Sequence, residues 1–147
     1  HIPKGKIIHC FRNPLDNILS IYRANFNREI SFGSSLVDCA NIYLNQDELM
    51  SQYKNRFRSK IYDLNYDSLV INPNKEIKSL INWLKWEWKE SYLSPHLNIR
   101  SVSTASNVEV RSPINSKSIG KWKNYKTMLK PAMEIITQKE KYKELRY

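Results

Sequence analysis

The chain has 147 residues, 41% of them hydrophobic, which suffices for one modest core. No apolar run reaches the roughly 18 residues of a membrane-spanning helix, so such a helix is excluded. The 24 Lys and Arg residues against 14 Asp and Glu residues give a net charge of +10. That charge attracts polyanions: nucleic acid, anionic lipid or a phosphorylated small molecule. The three glycines of the chain argue against a Gly-rich nucleotide loop within it.

Both cysteines, Cys10 and Cys39, lie in apolar periodic segments. They are predicted to be buried free thiols in a reducing cytoplasm, because disulfide frameworks need denser cysteine. No metal site is expected, because Cys-x-x-Cys and His-x-x-x-His spacings do not occur. His1–Lys6 leads straight into an apolar run with no starting Met, so we interpret the beginning as a cut through a larger fold.

The first predicted element is a buried strand of a parallel sheet at Lys6–Phe11, which is short, β-branched and largely apolar. Asn13 can cap a following helix and Pro14 suits its first turn, which predicts a helix over about 14–28. Its apolar face consists of Leu15, Ile18, Leu19, Tyr22 and Phe26.

The middle of the chain continues this alternation. Ser34 or Ser35 opens a long helix that ends near residue 57. A second strand begins at Ile61 and runs on towards Val70, and a third helix covers about 75–85. Strand–helix alternation predicts an α/β fold in which both strands lie in one parallel sheet flanked by helices.

The last third is less regular. Trp83, Trp86 and Trp88 end the third helix and are interpreted as packing aromatics. Residues 93–117 form a long loop rich in Ser, Asn and Pro, a kind of segment that is usually functional or disordered. A short helical turn follows at 118–122, and a closing helix is predicted over 132–142.

Candidate ligand-binding residues begin where the first strand ends. Arg12 follows the carboxyl end of a parallel strand, which is where open α/β sheets bind ligands. Its planar guanidinium suits phosphate, and the amides at the start of the next helix are expected to face the same anion. Ser20 lies about two helical turns further on, off the apolar face, where its hydroxyl can add a donor. Taken alone, a strand-end Arg can equally form a structural salt bridge.

Three further segments carry polar candidates. Tyr66 stands in the run Tyr66-Asp67-Ser68-Leu69, where it can also be a half-buried strand-end residue. The long loop contains Thr104-Ala105-Ser106-Asn107 and then Arg111-Ser112-Pro113. Lys121 lies in Ser118-Ile119-Gly120-Lys121-Trp122, where a lone Lys can equally be a solvated charge.

In this order and spacing the four segments resemble the sulfotransferases that use 3'-phosphoadenosine 5'-phosphosulfate (PAPS). The likeness is closest to the branch of tyrosylprotein sulfotransferases and of bacterial sulfotransferases often fused to tetratricopeptide repeats. Phe11-Arg12-Asn13-Pro14 with Ser20 looks like the family's 3'-phosphate motif, and Tyr66-Asp67-Ser68-Leu69 like its Tyr-Glu-x-Leu element. Residues 106–121 look like its late nucleotide loop.

The resemblance implies a role for each matching residue. Arg12 and Ser20 bind the 3'-phosphate of PAPS, Tyr66 stands beside the nucleotide, and Lys121 supplies a late positive charge. Residues 106–115 cover the nucleotide, with Ser106, Asn107 and Arg111 as cofactor-binding residues. The Ser106 hydroxyl also helps to stabilise the transferring sulfuryl group, which makes it the candidate catalytic residue. One departure is Ala24, where eukaryotic enzymes place a second Arg; Arg23 is its neighbour.

The resemblance also implies what the chain lacks. In this family the general base and the loop around the 5'-phosphosulfate lie before the region matched here. Residues 1–147 are therefore expected to be the C-terminal portion of one P-loop-like sulfotransferase domain, without its first strand–loop–helix and inactive alone. Its partners are a nucleotide and a hydroxyl-bearing acceptor, with a possible N-terminal repeat domain. The expected location is the cytoplasm, or the Golgi lumen for a eukaryotic homologue.

Two other functions fit parts of the sequence. A basic nucleic-acid-binding module would use the Lys-rich C-terminus and the tryptophans, although no known nucleic-acid motif occurs. A P-loop kinase is the second, because its Gly-rich loop would also lie upstream.

Overall fold

The structure is a computed structural model, and it describes residues 5–24, 31–98 and 109–146. The chain divides into two compact units. The first unit, called the sheet unit, consists of the residues up to Phe11 and of Phe57–Lys117. The second, called the helical unit, consists of Arg12–Arg56 and Ser118–Tyr147.

The sheet unit is built on two parallel strands, β1 (Ile7–Phe11) and β2 (Ile61–Asn65). Ile7 pairs with Ile61 and Phe11 with Asn65, so the predicted parallel pairing is confirmed. β2 is followed by α3 (Tyr66–Ile71) and α4 (Pro73–Leu84). The described short 3-10 helices of this unit span Arg58–Lys60, Glu90–Leu93, Pro95–Leu97 and Glu109–Arg111.

The second strand is shorter than predicted. It ends at Asn65, whose side chain accepts a hydrogen bond from the Ser68 amide at 3.1 Å. That is a helix N-cap, and it turns the expected strand residues up to Val70 into α3. Val70 is buried in the unit together with Ile61, Leu64 and Ile81.

The prediction that β1 is buried is wrong. Ile7 is 53% exposed and Ile8 is 40% exposed, and Cys10 is exposed as well. Within the described residues β1 has β2 as its strand neighbour, so its side chains are covered less than in a wide sheet. Both cysteines are free thiols as predicted, but of the two it is Cys39 that is buried.

The tryptophans at the end of α4 have different environments. Trp83 packs on Tyr62 with ring centroids 5.3 Å apart, and the Lys6 ammonium lies 4.6 Å from its ring centroid. Trp88 meets Tyr92 edge to face at 5.9 Å. Trp86 is 61% exposed, so the interpretation as packing aromatics fits Trp83 and Trp88 and not Trp86.

The helical unit contains α1 (Pro14–Ala24), α2 (Leu36–Phe57, whose last residue belongs to the sheet unit) and α5 (Lys126–Ile136). Short 3-10 helices span Ser31–Ser34, Lys121–Tyr125 and Glu140–Arg146. The core combines side chains from these helices: Leu15, Ile18, Leu19, Cys39, Ala40, Trp122, Leu129, Ala132 and Ile136. α1 buries Leu15, Ile18 and Leu19 of the predicted face, and Tyr22 is half-buried. Residues 25–28 of the predicted helix, with Phe26, lie outside the described residues.

The closing helix was predicted too late in the chain. α5 begins at Lys126 and contains Pro131 in its interior, where the missing N–H removes one helical hydrogen bond. The predicted start near residue 132 is what the sequence gives when Pro131 is treated as a helix boundary. The burial of Leu129, Ala132 and Ile136 on one face explains why the helix forms across the proline.

Candidate phosphate-binding site

Asn13 caps the start of α1, and its side chain accepts hydrogen bonds from the first backbone amides of the helix. Its Oδ1 atom accepts hydrogen bonds from the Leu15 amide at 3.0 Å and from the Asp16 amide at 3.2 Å. Pro14 has no N–H, and the Asn17 amide bonds the Asn13 carbonyl at 3.0 Å. The expectation that these amides face an anion is therefore corrected: they are engaged by the cap and are not available to an anion.

Asp16 is the central buried residue of the region, with 2% of its surface exposed. Its Oδ2 atom accepts from the Gly120 amide at 2.7 Å, and its Oδ1 atom accepts from the Trp122 amide at 2.9 Å. Hydrogen bonds to both oxygens offset the cost of burying a carboxylate. The backbone on either side of Lys121 is thereby attached to the first turn of α1.

Arg12 is half-buried, and both its guanidinium and its backbone carbonyl form hydrogen bonds. Its guanidinium Nη2 donates to the backbone carbonyl of Asp16. Its own carbonyl accepts from the Tyr43 hydroxyl at 3.4 Å, and the Tyr142 hydroxyl donates to that of Tyr43 at 3.5 Å. α2 and the 3-10 helix at Glu140–Arg146 thus support the residue that precedes α1.

Burial disfavours ionisation of both phenols. It raises the pKa of Tyr43 well above its usual range, an effect to which the hydrogen bond with Tyr142 adds. Burial likewise raises the pKa of Tyr142 to about 12, against a smaller lowering by its bond to Tyr43. At neutral pH both hydroxyls are therefore donors, and the chain of hydrogen bonds to the Arg12 carbonyl persists.

Lys121 is exposed and begins the 3-10 helix Lys121–Tyr125. Gly120, immediately before it, has a φ of 70°, a left-handed conformation that glycine adopts at little cost. The turn at Gly120 lets two amides, one on each side of Lys121, reach the same carboxylate.

Ser20 lies one helical turn after Asp16 on the same face of α1, and it is exposed. Arg23, the neighbour of the position that departs from the family pattern, is also exposed. Its guanidinium carbon lies 5.8 Å from the ring centroid of Tyr125. This face of α1 therefore lies towards the segment that follows Lys121.

The remaining predicted site residues lie in the sheet unit or outside the described residues. Tyr66 is the half-buried first residue of α3, and Arg111 is exposed and donates to the Asn98 carbonyl at 2.6 Å. Both belong to the sheet unit. Ser106 and Asn107 lie outside the described residues, as does Thr104.

The sequence predicts Arg12, Ser20 and Lys121 as phosphate ligands, and it does not point to Asp16. The one local signal was an acidic residue between Leu15 and Ile18, at a position where the helix turns towards its core. An Asp in a first helical turn is common for another reason, the helix dipole, so this signal does not indicate a distant partner.

Other features of the described chain lie elsewhere. A cavity of about 520 Å³ runs along α5 and is lined by Lys126, Thr127, Lys130, Met133, Glu134 and Thr137. It includes none of the predicted site residues. Across residues 5–24, 31–98 and 109–146, no cluster of three or more His, Cys, Asp or Glu side chains could hold a metal ion. Nor does any helix of this part of the chain have the length and apolar character needed to cross a membrane.

Comparison with known proteins identifies the protein family to which the chain belongs. A family model described as "Sulfotransferase family" matches residues 1–90, the stretch that contains β1, Arg12, α1 and β2. The chain belongs to the sulfotransferase family.

A relative from Aquifex aeolicus (strain VF5), which carries the name "Uncharacterized protein", is 31% identical over 139 residues. The match covers 92% of this chain and 18% of the relative, so the chain spans about a fifth of the length of that curated protein.

Proposed function

We propose that this chain supplies the 3'-phosphate-binding part of an enzyme that transfers a sulfuryl group from PAPS to an acceptor hydroxyl. Membership of the sulfotransferase family supports the reaction class. The observation that carries the proposal is the attachment of Arg12 and of the Lys121 segment to one residue, Asp16. The Arg12 guanidinium and the backbone on either side of Lys121, which are far apart in sequence, thereby contact the same residue at the start of one helix.

The residues present fit a nucleotide phosphate. Arg12 offers a planar set of donors in a half-buried position, where a charge-assisted hydrogen bond is stronger than in bulk water. Ser20 presents an exposed hydroxyl and Lys121 an exposed ammonium. The one buried acid in the region, Asp16, points both carboxylate oxygens at backbone amides, so its charge is already compensated.

In this proposal the chain's own residues bind and orient. When bound, PAPS supplies the sulfuryl group that is transferred. Arg12 and Ser20 hold the 3'-phosphate, and Lys121 adds positive charge beside it; Tyr66 and the loop containing Ser106, Asn107 and Arg111 complete the nucleotide contacts by family resemblance. Positioning and charge compensation are the main contributions that a protein makes to this type of group transfer.

Binding of the product nucleotide tests the proposal. The full-length protein is titrated with 3'-phosphoadenosine 5'-phosphate (PAP) and, separately, with adenosine 5'-phosphate, by calorimetry. We expect PAP to bind at least about tenfold tighter, the difference made by one charge-assisted contact. Formation of PAP from PAPS in the presence of candidate hydroxyl acceptors then tests the reaction. Equal affinity for the two nucleotides would contradict a 3'-phosphate site.

A further inference from the structure

We propose that Asp16 is a positioning residue of the phosphate site: its carboxylate fixes the backbone on both sides of Lys121 and so determines where that cation stands relative to Arg12. The inference rests on the proposed function, because Lys121 needs a defined place only if it meets an anionic ligand. It assigns to Asp16 a role that the resemblance to the family did not supply.

The geometry excludes other roles for this acid. Asp16 is 2% exposed, and each of its two oxygens already accepts a backbone amide, at 2.7 Å from Gly120 and at 2.9 Å from Trp122. A carboxylate that is almost completely buried does not reach a substrate or a ligand directly. What it can do is hold the two amides between which Lys121 stands.

The same residue also orders the other cation. The Asp16 carbonyl accepts a hydrogen bond from the Arg12 guanidinium, so main chain and side chain of one residue contact both halves of the site. Asp16 itself is fixed, because its amide donates to the Asn13 side chain at 3.2 Å in the first turn of α1. The spacing between the two cationic residues is therefore set by a rigid helix start rather than by the long side chains alone.

The Gly120 backbone shows that the segment is shaped for this contact. Its φ of 70° places the turn where the Gly120 and Trp122 amides reach the same carboxylate. Without Asp16, two amides that are now bonded would lose their acceptor, and the 3-10 turn that carries Lys121 would be free to shift.

The test replaces Asp16 with Asn in the full-length protein and measures PAP binding by calorimetry. Asp16→Asn keeps the shape but turns one acceptor oxygen into an NH2 group, which faces a backbone N–H instead of accepting from it. We expect faster hydrogen exchange at the Gly120 and Trp122 amides and PAP binding weakened by about tenfold. In the Asp16→Asn background, Lys121→Ala should cost little more, because the cation is already misplaced.

Asp38→Asn is the matched control. Asp38 is the third residue of α2, as Asp16 is of α1, but it is exposed, and its amide donates to the Ser35 hydroxyl at 3.2 Å. The chemical change and the helix position are the same. We expect Asp38→Asn to leave PAP affinity and the effect of Lys121→Ala unchanged.

A second variant tests the proposal even if the Asp16→Asn protein does not fold. Gly120→Ala leaves Asp16 intact and disfavours the left-handed turn, while the nearest atom to the new Cβ is Lys123 Cε at 3.9 Å, so no clash is introduced. We expect it, too, to weaken PAP binding and to reduce the cost of Lys121→Ala.

The outcomes separate the two proposals. Suppose that wild type prefers PAP, but the losses of PAP affinity from Lys121→Ala and from Asp16→Asn or Gly120→Ala simply add. Asp16 then does not act through Lys121, and the inference is overturned. A variant that merely unfolds a fraction of the protein lowers the binding stoichiometry and leaves the full loss of affinity from Lys121→Ala in the folded fraction. That result also overturns the inference. If wild type does not discriminate PAP from adenosine 5'-phosphate, it is the proposed function that fails.

Discussion

The hydroxyl of Tyr43 donates a hydrogen bond to the backbone carbonyl of Arg12 at 3.4 Å. The contact links α2 to a residue two positions before α1 begins, and Tyr142 extends it through its own hydroxyl at 3.5 Å. The main chain of a proposed phosphate ligand is thus supported by elements that have no ligand contact of their own in the proposed site.

Removal of the Tyr43 hydroxyl should destabilise the protein. Tyr43→Phe leaves the Arg12 carbonyl without this donor while the ring keeps its packing, so we expect a loss of about 0.5–1.5 kcal/mol in the free energy of unfolding, measured with urea. Tyr125→Phe serves as control, because that phenol is 38% exposed and its ring remains under Arg23. An equal loss in both variants would contradict a specific role for the Tyr43 hydrogen bond.

Stability should also fall at high pH through the tyrosine pair. The pKa of Tyr142 is raised to about 12, mainly by burial, whereas an unfolded phenol titrates near 10. A raised pKa means that the stabilisation is complete below about pH 10 and is lost as the pH rises towards about 12. We expect Tyr142→Phe to reduce the slope of unfolding free energy against pH in this window. Lysine titration occurs in both proteins, so an identical slope would contradict the assignment.

Among the predicted phosphate ligands, Arg12 should contribute most. Arg12→Ala is expected to cost roughly 1.5–3 kcal/mol of PAP binding, against about 0.5–1.5 kcal/mol for Ser20→Ala. Lys121→Ala should cost less than Arg12→Ala because its ammonium is exposed and screened by salt. Lys75→Ala, a change of the same charge on exposed α4 surface, is the control.

The decisive comparison for Arg12 uses nucleotides with and without the 3'-phosphate. Calorimetric titration of wild type and Arg12→Ala with PAP and adenosine 5'-phosphate forms a closed cycle. The Arg12→Ala cost should vanish for adenosine 5'-phosphate, since both changes delete the same contact. If the two losses add instead, Arg12 does not bind the 3'-phosphate.

Asn13 should matter for stability as a helix cap. Asn13→Ala removes the acceptor of the Leu15 and Asp16 amides, and we expect a loss of about 1 kcal/mol in unfolding free energy. Asn65→Ala removes a single such bond, to the Ser68 amide at 3.1 Å, at the shorter helix α3 and provides the comparison. Thermal and urea unfolding measure both; an unchanged stability of Asn13→Ala would show that other acceptors replace the cap.

Much of the fold follows from local sequence. The β-branched run at Ile7–Phe11, the Asn13 cap and Pro14 each act within a few residues, and the structure has the strand and the helix start where they predict. The parallel pairing with Ile61–Asn65 followed from strand–helix alternation. Local rules failed where two of them competed: Asn65 is a good cap as well as a strand residue, and its capping bond ended the strand.

The candidate site shows the limit of such reasoning. Arg12, Ser20 and Lys121 are predicted ligands because their residue types suit a phosphate and occur in the order that the family resemblance supplies. Asp16 could not be found in this way, because its acceptor role depends on amides 104 and 106 residues further along the chain. Backbone amides are the same for every residue, so no side-chain pattern in the sequence indicates this contact.

The unequal environments of the two cysteines have a practical consequence. Cys39 is buried, and burial raises its thiol pKa, with the nearby Asp38 carboxylate adding to the effect, so little reactive thiolate forms. Cys10 is exposed on β1, one residue from the Phe11 that ends the strand. A maleimide fluorophore or spin label should therefore react with Cys10 in preference to Cys39, and so mark the strand that ends immediately before Arg12.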